Sequence, residues 1–189
     1  MIAASDSVPE WVETEVNGVE IGMWLPPGWQ VDTLRGLSVV EHMGSIRTDE
    51  PARGIVLYVF VPDLDQLLPN VSESDNLAYA ALEQVAASPE HTNGAHVSRP
   101  VAFEWKGYPA AYYLYTTRDR MYGLVLALAA ARQRAIVVTN VTAPAEDIDR
   151  LRSVLPQMLK DLHIDRQQLD DTFLASLPDP LIWPDSGSN

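Results

Sequence analysis

The stretches Ala110-Ala-Tyr-Tyr-Leu-Tyr115, Tyr122-Gly-Leu-Val-Leu-Ala-Leu128 and Ala135-Ile-Val-Val-Thr-Asn-Val141 decide the fold. Each is apolar with β-branched or aromatic residues and too short for a typical helix. None has the strict polar alternation of a half-exposed strand, so each reads as a strand covered on both faces. Short turn-like joints at Arg118-Asp119 and Arg132-Gln133 separate them. Parallel neighbours would need crossovers of a dozen or more residues, so this spacing predicts an antiparallel meander. Ile55-Val-Leu-Tyr-Val-Phe-Val61, stopped by Pro62, has the same character. A sheet buried on both faces needs a layer on each side.

Two helical patterns can supply those layers. From Ser72 to about Ala87, Leu77, Ala81 and Val85 recur every four residues with Ala78 and Leu82 beside them; Ser72 and Asp75 resemble a capping box, and Pro89 closes the run. From Pro144 to about Leu162, Ile148, Leu151, Leu155, Met158 and Leu162 form one apolar stripe behind the acidic first turn Glu146, Asp147, Asp149. Pro156 interrupts this stripe and predicts a kink or a split.

Upstream, Trp11-Val-Glu-Thr-Glu-Val16 and Val19-Glu-Ile-Gly-Met-Trp24 flank Asn17-Gly18, the signature of a β-hairpin with a tight turn. Pro26-Pro27-Gly28 then breaks the chain, Gly36 to Met43 reads as a further strand, and Gly44 to Arg53 as a loop. At the other end, the spacing Leu169, Phe173, Leu177 predicts a short helix over 166–177. A tail with Pro178, Pro180 and Pro184 holds the apolar triplet Leu181-Ile182-Trp183. The expected division is a domain over 1–165 and a C-terminal helix and tail over 166–189.

The 189 residues fit one domain with one core. Asp and Glu outnumber Lys and Arg by 26 to 13, a net charge of −13. Phosphate backbones and anionic membranes are bound by Lys and Arg, so this sign argues against nucleic acid and membrane-surface partners. The longest apolar run, Gly123 to Ala131, is too short to span a bilayer. With no cysteine there are no disulfides, thiolate metal sites or cysteine nucleophiles. The N-terminus as written has neither a basic region nor a long apolar stretch, so the expected compartment is the cytoplasm, or an exported one if a leader was trimmed.

No Gly-x-Ser-x-Gly, Walker loop, dinucleotide glycine fingerprint or His-Glu-x-x-His is present, and the expectation is a protein without catalytic or cofactor-binding residues. His91 and His96 flank Asn93-Gly94 at a spacing that matches no common zinc pattern; a solvated loop accounts for them better than a metal site. His42 and His163 stand apart from that pair. Asp63, Asp65, Glu73 and Asp75 lack the compact ligand loop and Gly turn that calcium needs, and read as loop and helix-start acids. Asn70 and Asn140 match the glycosylation triplet, which carries no weight without a secretory signal. Trp105, Tyr108, Tyr112, Tyr113 and Tyr115 crowd one strand pair, with Tyr113 and Tyr115 on the face opposite Tyr112. Trp105, Tyr108, Tyr112, Tyr113 and Trp183 are the candidate groove or partner contacts, against the plainer reading of core packing.

Leu25-Pro26-Pro27-Gly28-Trp29 after the hairpin, Gly107-Tyr108-Pro109-Ala110 before a strand and Thr139-Asn-Val-Thr-Ala-Pro144 before the last helix resemble the PsbP and Mog family over roughly residues 16–164. The resemblance implies an α+β fold, an antiparallel sheet flanked by helices on both faces. It implies binding without turnover, with another protein as partner, and it assigns no contact residue or oligomeric state. The alternatives are a carrier of an apolar or lipid-like ligand in a groove between sheet and helix, and then a hydrolase. An exposed apolar patch favours the adaptor, a deep closed pocket the carrier, and converging perturbed carboxylates or histidines the enzyme.

Overall fold

The computed structural model describes residues 10–25, 29–32, 37–41, 54–68, 76–130, 135–168 and 170–185. The runs flanking Asn17-Gly18 form β1 (Glu10–Val16) and β2 (Val19–Leu25), paired antiparallel from Glu10 opposite Leu25 to Val16 opposite Val19. Asn17 and Gly18 both have positive φ, 50° and 79°, which a two-residue hairpin turn requires and which these residues tolerate best. Next come β3 (Trp29–Asp32), β4 (Leu37–Glu41) and β5 (Val56–Phe60), then α1 (Leu64–Leu67), α2 (Leu77–Ala87) and α3 (Pro89–Thr92). Strands β6 (His96–Val97), β7 (Val101–Trp105), β8 (Tyr108–Thr116), β9 (Met121–Ala130) and β10 (Ala135–Pro144) follow. A 3-10 turn at Ala145–Asp147 leads into α4 (Ile148–Asp161), and β11 (Leu162–Ile164), β12 (Gln167–Gln168) and a second 3-10 turn at Thr172–Ser176 complete the order.

The main sheet runs β3-β4-β5-β10-β9-β8-β6, with β7 also paired to β8, and every pairing is antiparallel. The predicted meander is β8-β9-β10. The hairpin does not join it: β11 pairs with β2, and β12 with β11, to make a second sheet of order β1-β2-β11-β12. One face of the main sheet therefore shares its core with the inward side of this small sheet and with α4. Val19, Ile21 and Met23 of β2, Leu57 and Val59 of β5, and Leu151, Leu155 and Leu159 of α4 lie together there. On the opposite face Ala78, Ala81 and Leu82 of α2 and Leu64 of α1 pack on Ala111, Tyr113, Val125, Ala127, Ile136 and Val138. The alanines on both sides let helix and sheet approach closely.

Burial on both faces holds for Leu124 to Ala127 and for Ile136 to Val138. It fails for the 55–61 run: Tyr58 and Phe60 are 43% and 38% exposed on the face that carries α2. The reason is reach, since α2 packs on β8 and β9 and stops short of β5. An apolar run cannot by itself distinguish a covered strand from one whose outward aromatics stay open.

Asn76 caps α2, its side chain accepting from the Tyr79 amide at 2.9 Å. The Ser72–Asp75 box expected there, with Glu73, Asn70, His42, the break at 26–28, the loop at 44–53 and the joint at Arg132-Gln133, lies outside the described residues. Helix α4 runs through Pro156 without a break. Fully burying Leu151, Leu155 and Leu159 is worth about 1.5–3 kcal/mol each and outweighs the roughly 3 kcal/mol that an interior proline costs. The helix expected over 166–177 is instead β12 and the 3-10 turn, because Arg166 and Asp165 take positive φ and turn the chain back onto β11.

Candidate functional site

The five aromatic candidates do not converge. Trp105 is buried, and its indole N–H donates to Asp170 Oδ1 at 2.7 Å. Tyr108 leans on Trp105 with ring centroids 6.4 Å apart, and Tyr112 meets Phe103 edge-on at 6.0 Å. Trp183 packs edge-on against Tyr122 at 5.3 Å, with Leu181 buried beside it and Ile182 left 71% exposed. These four line the core beneath the small sheet, whereas Tyr113 faces α2. Burial, and then the neighbouring Tyr115, push the Tyr113 phenol up to about 12. Tyr115 lies across Gly123, where an added Cβ would come within 2.2 Å of its ring, and its hydroxyl donates to Asn140 Oδ1 at 3.2 Å.

Among the described residues, the acidic and histidine candidates do not gather into a site. Asp63 caps α1, accepting from the amides of Asp65 at 3.0 Å and Gln66 at 3.3 Å. His91 and His96 are exposed, and among the described residues no three His, Cys, Asp or Glu side chains cluster to hold a metal. Asp170 ties the C-terminal segment to the β7–β8 turn. Desolvation raises its carboxyl, but hydrogen bonds from Thr172, Trp105 and Lys106 outweigh this and hold it at about 2. Lys106 Nζ lies 3.2 Å from Asp170 Oδ2 and 4.9 Å from the centre of the Trp105 ring.

A third group escaped the sequence reading. In the small sheet Val19, Ile21, Met23 and Leu25 point inward, so Glu20, Gly22 and Trp24 point out, together with their register partners Glu15, Glu13 and Trp11. His163 of β11 lies opposite Gly22. The Trp11 ring lies across Gly22, the one place on this face without a side chain, where an added Cβ would come within 2.2 Å of it. It meets Trp24 edge-on at 5.3 Å and His163 at 5.1 Å, and its N–H donates to Glu13 Oε2 at 2.9 Å. Trp24 remains 44% exposed. The result is an aromatic strip on a rigid sheet, bordered by Glu13, Glu15 and Glu20, with Arg166 paired to Glu20 at 3.3 Å. The signal available in the sequence was a tryptophan in the polar phase of each strand of the hairpin.

Comparison with solved structures places this architecture. Cyanobacterial PsbP from Synechocystis sp. PCC 6803 superposes with a TM-score of 0.51 over 86% of this chain and 96% of that one, at 13% identity. The fold is that of PsbP. The same PsbP-type fold accounts for weaker likenesses to LpqN of Mycobacterium tuberculosis, involved in cell envelope biogenesis, and to the Ran-binding protein Mog1p of Saccharomyces cerevisiae. Their TM-scores are 0.48 and 0.46, at 12% and 15% identity, over 85% and 84% of this chain and 94% and 97% of theirs. No family model and no curated protein matches the sequence. Among the described residues, no helix of this PsbP-type fold is long and apolar enough to cross a membrane.

Proposed function

We propose that this chain is a non-catalytic protein-binding module whose contact surface is the outer face of the small sheet. The observation that carries the reading is Trp24, 44% exposed and set edge-on against Trp11 on a strand whose other face is fully buried. A tryptophan held on a rigid strand loses little conformational freedom on association, and tryptophans are the residues that most often dominate interface energetics. An exposed apolar surface is what distinguishes an adaptor from a carrier or an enzyme. The carboxylate of Asp170 has its oxygens engaged by Trp105, Thr172 and Lys106, which fits a structural tie between the C-terminal segment and the β7–β8 turn.

Affinity capture from native extract with the wild-type chain and Trp24→Ser tests this. Polypeptides retained by the wild type and lost by the variant, with the variant still cooperatively folded, are expected. Equal recovery by both chains contradicts it.

A further inference from the structure

The small sheet ends at β1. Its order is β1-β2-β11-β12, and among the described residues no strand pairs with the outer edge of β1. In a hairpin closed by a two-residue turn, the flanking pair Val16 and Val19 exchange hydrogen bonds, and bonded and non-bonded pairs then alternate along the ladder. Val12, Thr14 and Val16 therefore spend their backbone groups on β2. Trp11, Glu13 and Glu15 direct theirs to the open edge. The same three residues carry the side chains of the outward face.

We infer that the β1 edge takes up an extended basic segment of a partner protein as an added strand. Its alternate arginines or lysines lie beside Glu13 and Glu15. The proposal rests on the reading of this face as a protein-binding surface and names the chemistry of what it binds. Charge decides the occupant. Glu13 and Glu15 stand two residues apart on one face, so a strand with cations two residues apart sets a positive charge beside each. The Trp11 ring lies over Gly22 and reaches His163 on the other side of β2, which leaves the edge itself to the two carboxylates. A second copy of this chain fits poorly. Pairing β1 with itself about a two-fold axis at Glu13 sets Glu13 against Glu13, and moving that axis to Thr14 sets Glu13 against Glu15. Like charges directly opposite each other destabilise such a ladder, and each copy brings a net charge of −13. Main-chain hydrogen bonds then supply affinity and the alternate side chains supply specificity, as in other strand additions.

The test uses the full chain and an eight-residue peptide alternating arginine with valine or threonine. Controls are its glutamate counterpart and a version N-methylated at alternate residues, which keeps the charge and removes the ladder donors. Backbone hydrogen exchange by NMR reads the outcome at single residues. The amides of Trp11, Glu13 and Glu15 should exchange freely in the chain alone and become protected on adding the arginine peptide, while those of Val12, Thr14 and Val16 are protected throughout. The N-methylated and glutamate peptides should give no protection. Glu13→Gln with Glu15→Gln should weaken the arginine peptide about tenfold, the effect of losing two exposed charge pairs. Protection at Trp11, Glu13 and Glu15 in the free chain overturns the proposal, because the edge is then already occupied. Equal binding of the N-methylated peptide overturns it too, as charge alone then explains the association. If the peptide fails while capture of protein still depends on Trp24, the added strand is refuted and the protein-binding reading stands. If capture is also independent of Trp24, both are refuted.

Discussion

Removing the Asp170 carboxylate should loosen the C-terminal segment from the β7–β8 turn, and the size of the effect follows from what the carboxylate holds. It accepts from Trp105 Nε1 at 2.7 Å, Thr172 Oγ1 at 2.7 Å and the Thr172 amide at 3.1 Å, and pairs with Lys106 at 3.2 Å. In Asp170→Ala the buried Trp105 N–H loses its acceptor, which costs about 1–3 kcal/mol. The exposed lysine pair adds at most about 1 kcal/mol. A loss of about 2–3 kcal/mol in a chain of this size lowers Tm by about 5–10 °C. The pH dependence has a definite sign. The folded value of about 2 lies below the ordinary 3.8, so the stabilisation is fully present above pH 3.8 and is lost as pH falls through 2. Discounted for solvent screening, it is about 1 kcal/mol. Thermal unfolding of wild type and Asp170→Asn from pH 7 to pH 2.5 should show a Tm gap that narrows progressively below pH 4. A fall of under 2 °C in Asp170→Ala, or a gap constant across that range, refutes the reasoning.

Gly123→Ala forces its Cβ to within 2.2 Å of the Tyr115 ring and should cost about 1–3 kcal/mol by overpacking; adding Tyr115→Ala should remove most of that penalty in a double-mutant cycle. Deleting residues 179–189 strips buried Leu181 and the Trp183–Tyr122 contact. It should lower stability by about 3 kcal/mol, read as several degrees of Tm, without changing capture through Trp24. Micromolar zinc or calcium should leave Tm within about 1 °C; a rise of several degrees abolished by His91→Ala with His96→Ala would show a metal site there.

The meander was legible because β8, β9 and β10 are mostly apolar without strict alternation and are joined by turns, and the hairpin because Asn17-Gly18 leaves few other conformations. Helices α2 and α4 were legible from their stripes, although Leu159, outside the expected stripe, is buried in the core. The second sheet was not. Leu162-His-Ile164 looks like a helix end until its pairing with β2 is known, and pairing across about 140 residues leaves no local trace. The aromatic candidates were chosen for crowding around one strand pair, yet crowding there reflects core packing: Trp105 and Tyr112 face inward. Trp11 and Trp24 carried the more useful signal, their phase. A strand that buries Val19, Ile21 and Met23 must turn Trp24 outward, and Gly22 beside it leaves room for Trp11. Asp170 was illegible for another reason, since its partners Trp105 and Lys106 meet it only through the tertiary fold.

The outer face of the small sheet is proposed as the surface where this chain meets another protein. Photo-crosslinking in native cells, with benzoylphenylalanine placed once at Trp24 and once at Val101, tests it most directly. Both positions are exposed, but Val101 lies on β7 of the other sheet. Discrete polypeptide adducts are expected from position 24 and none shared with position 101. Adducts from position 101 alone, with position 24 blank, contradict it.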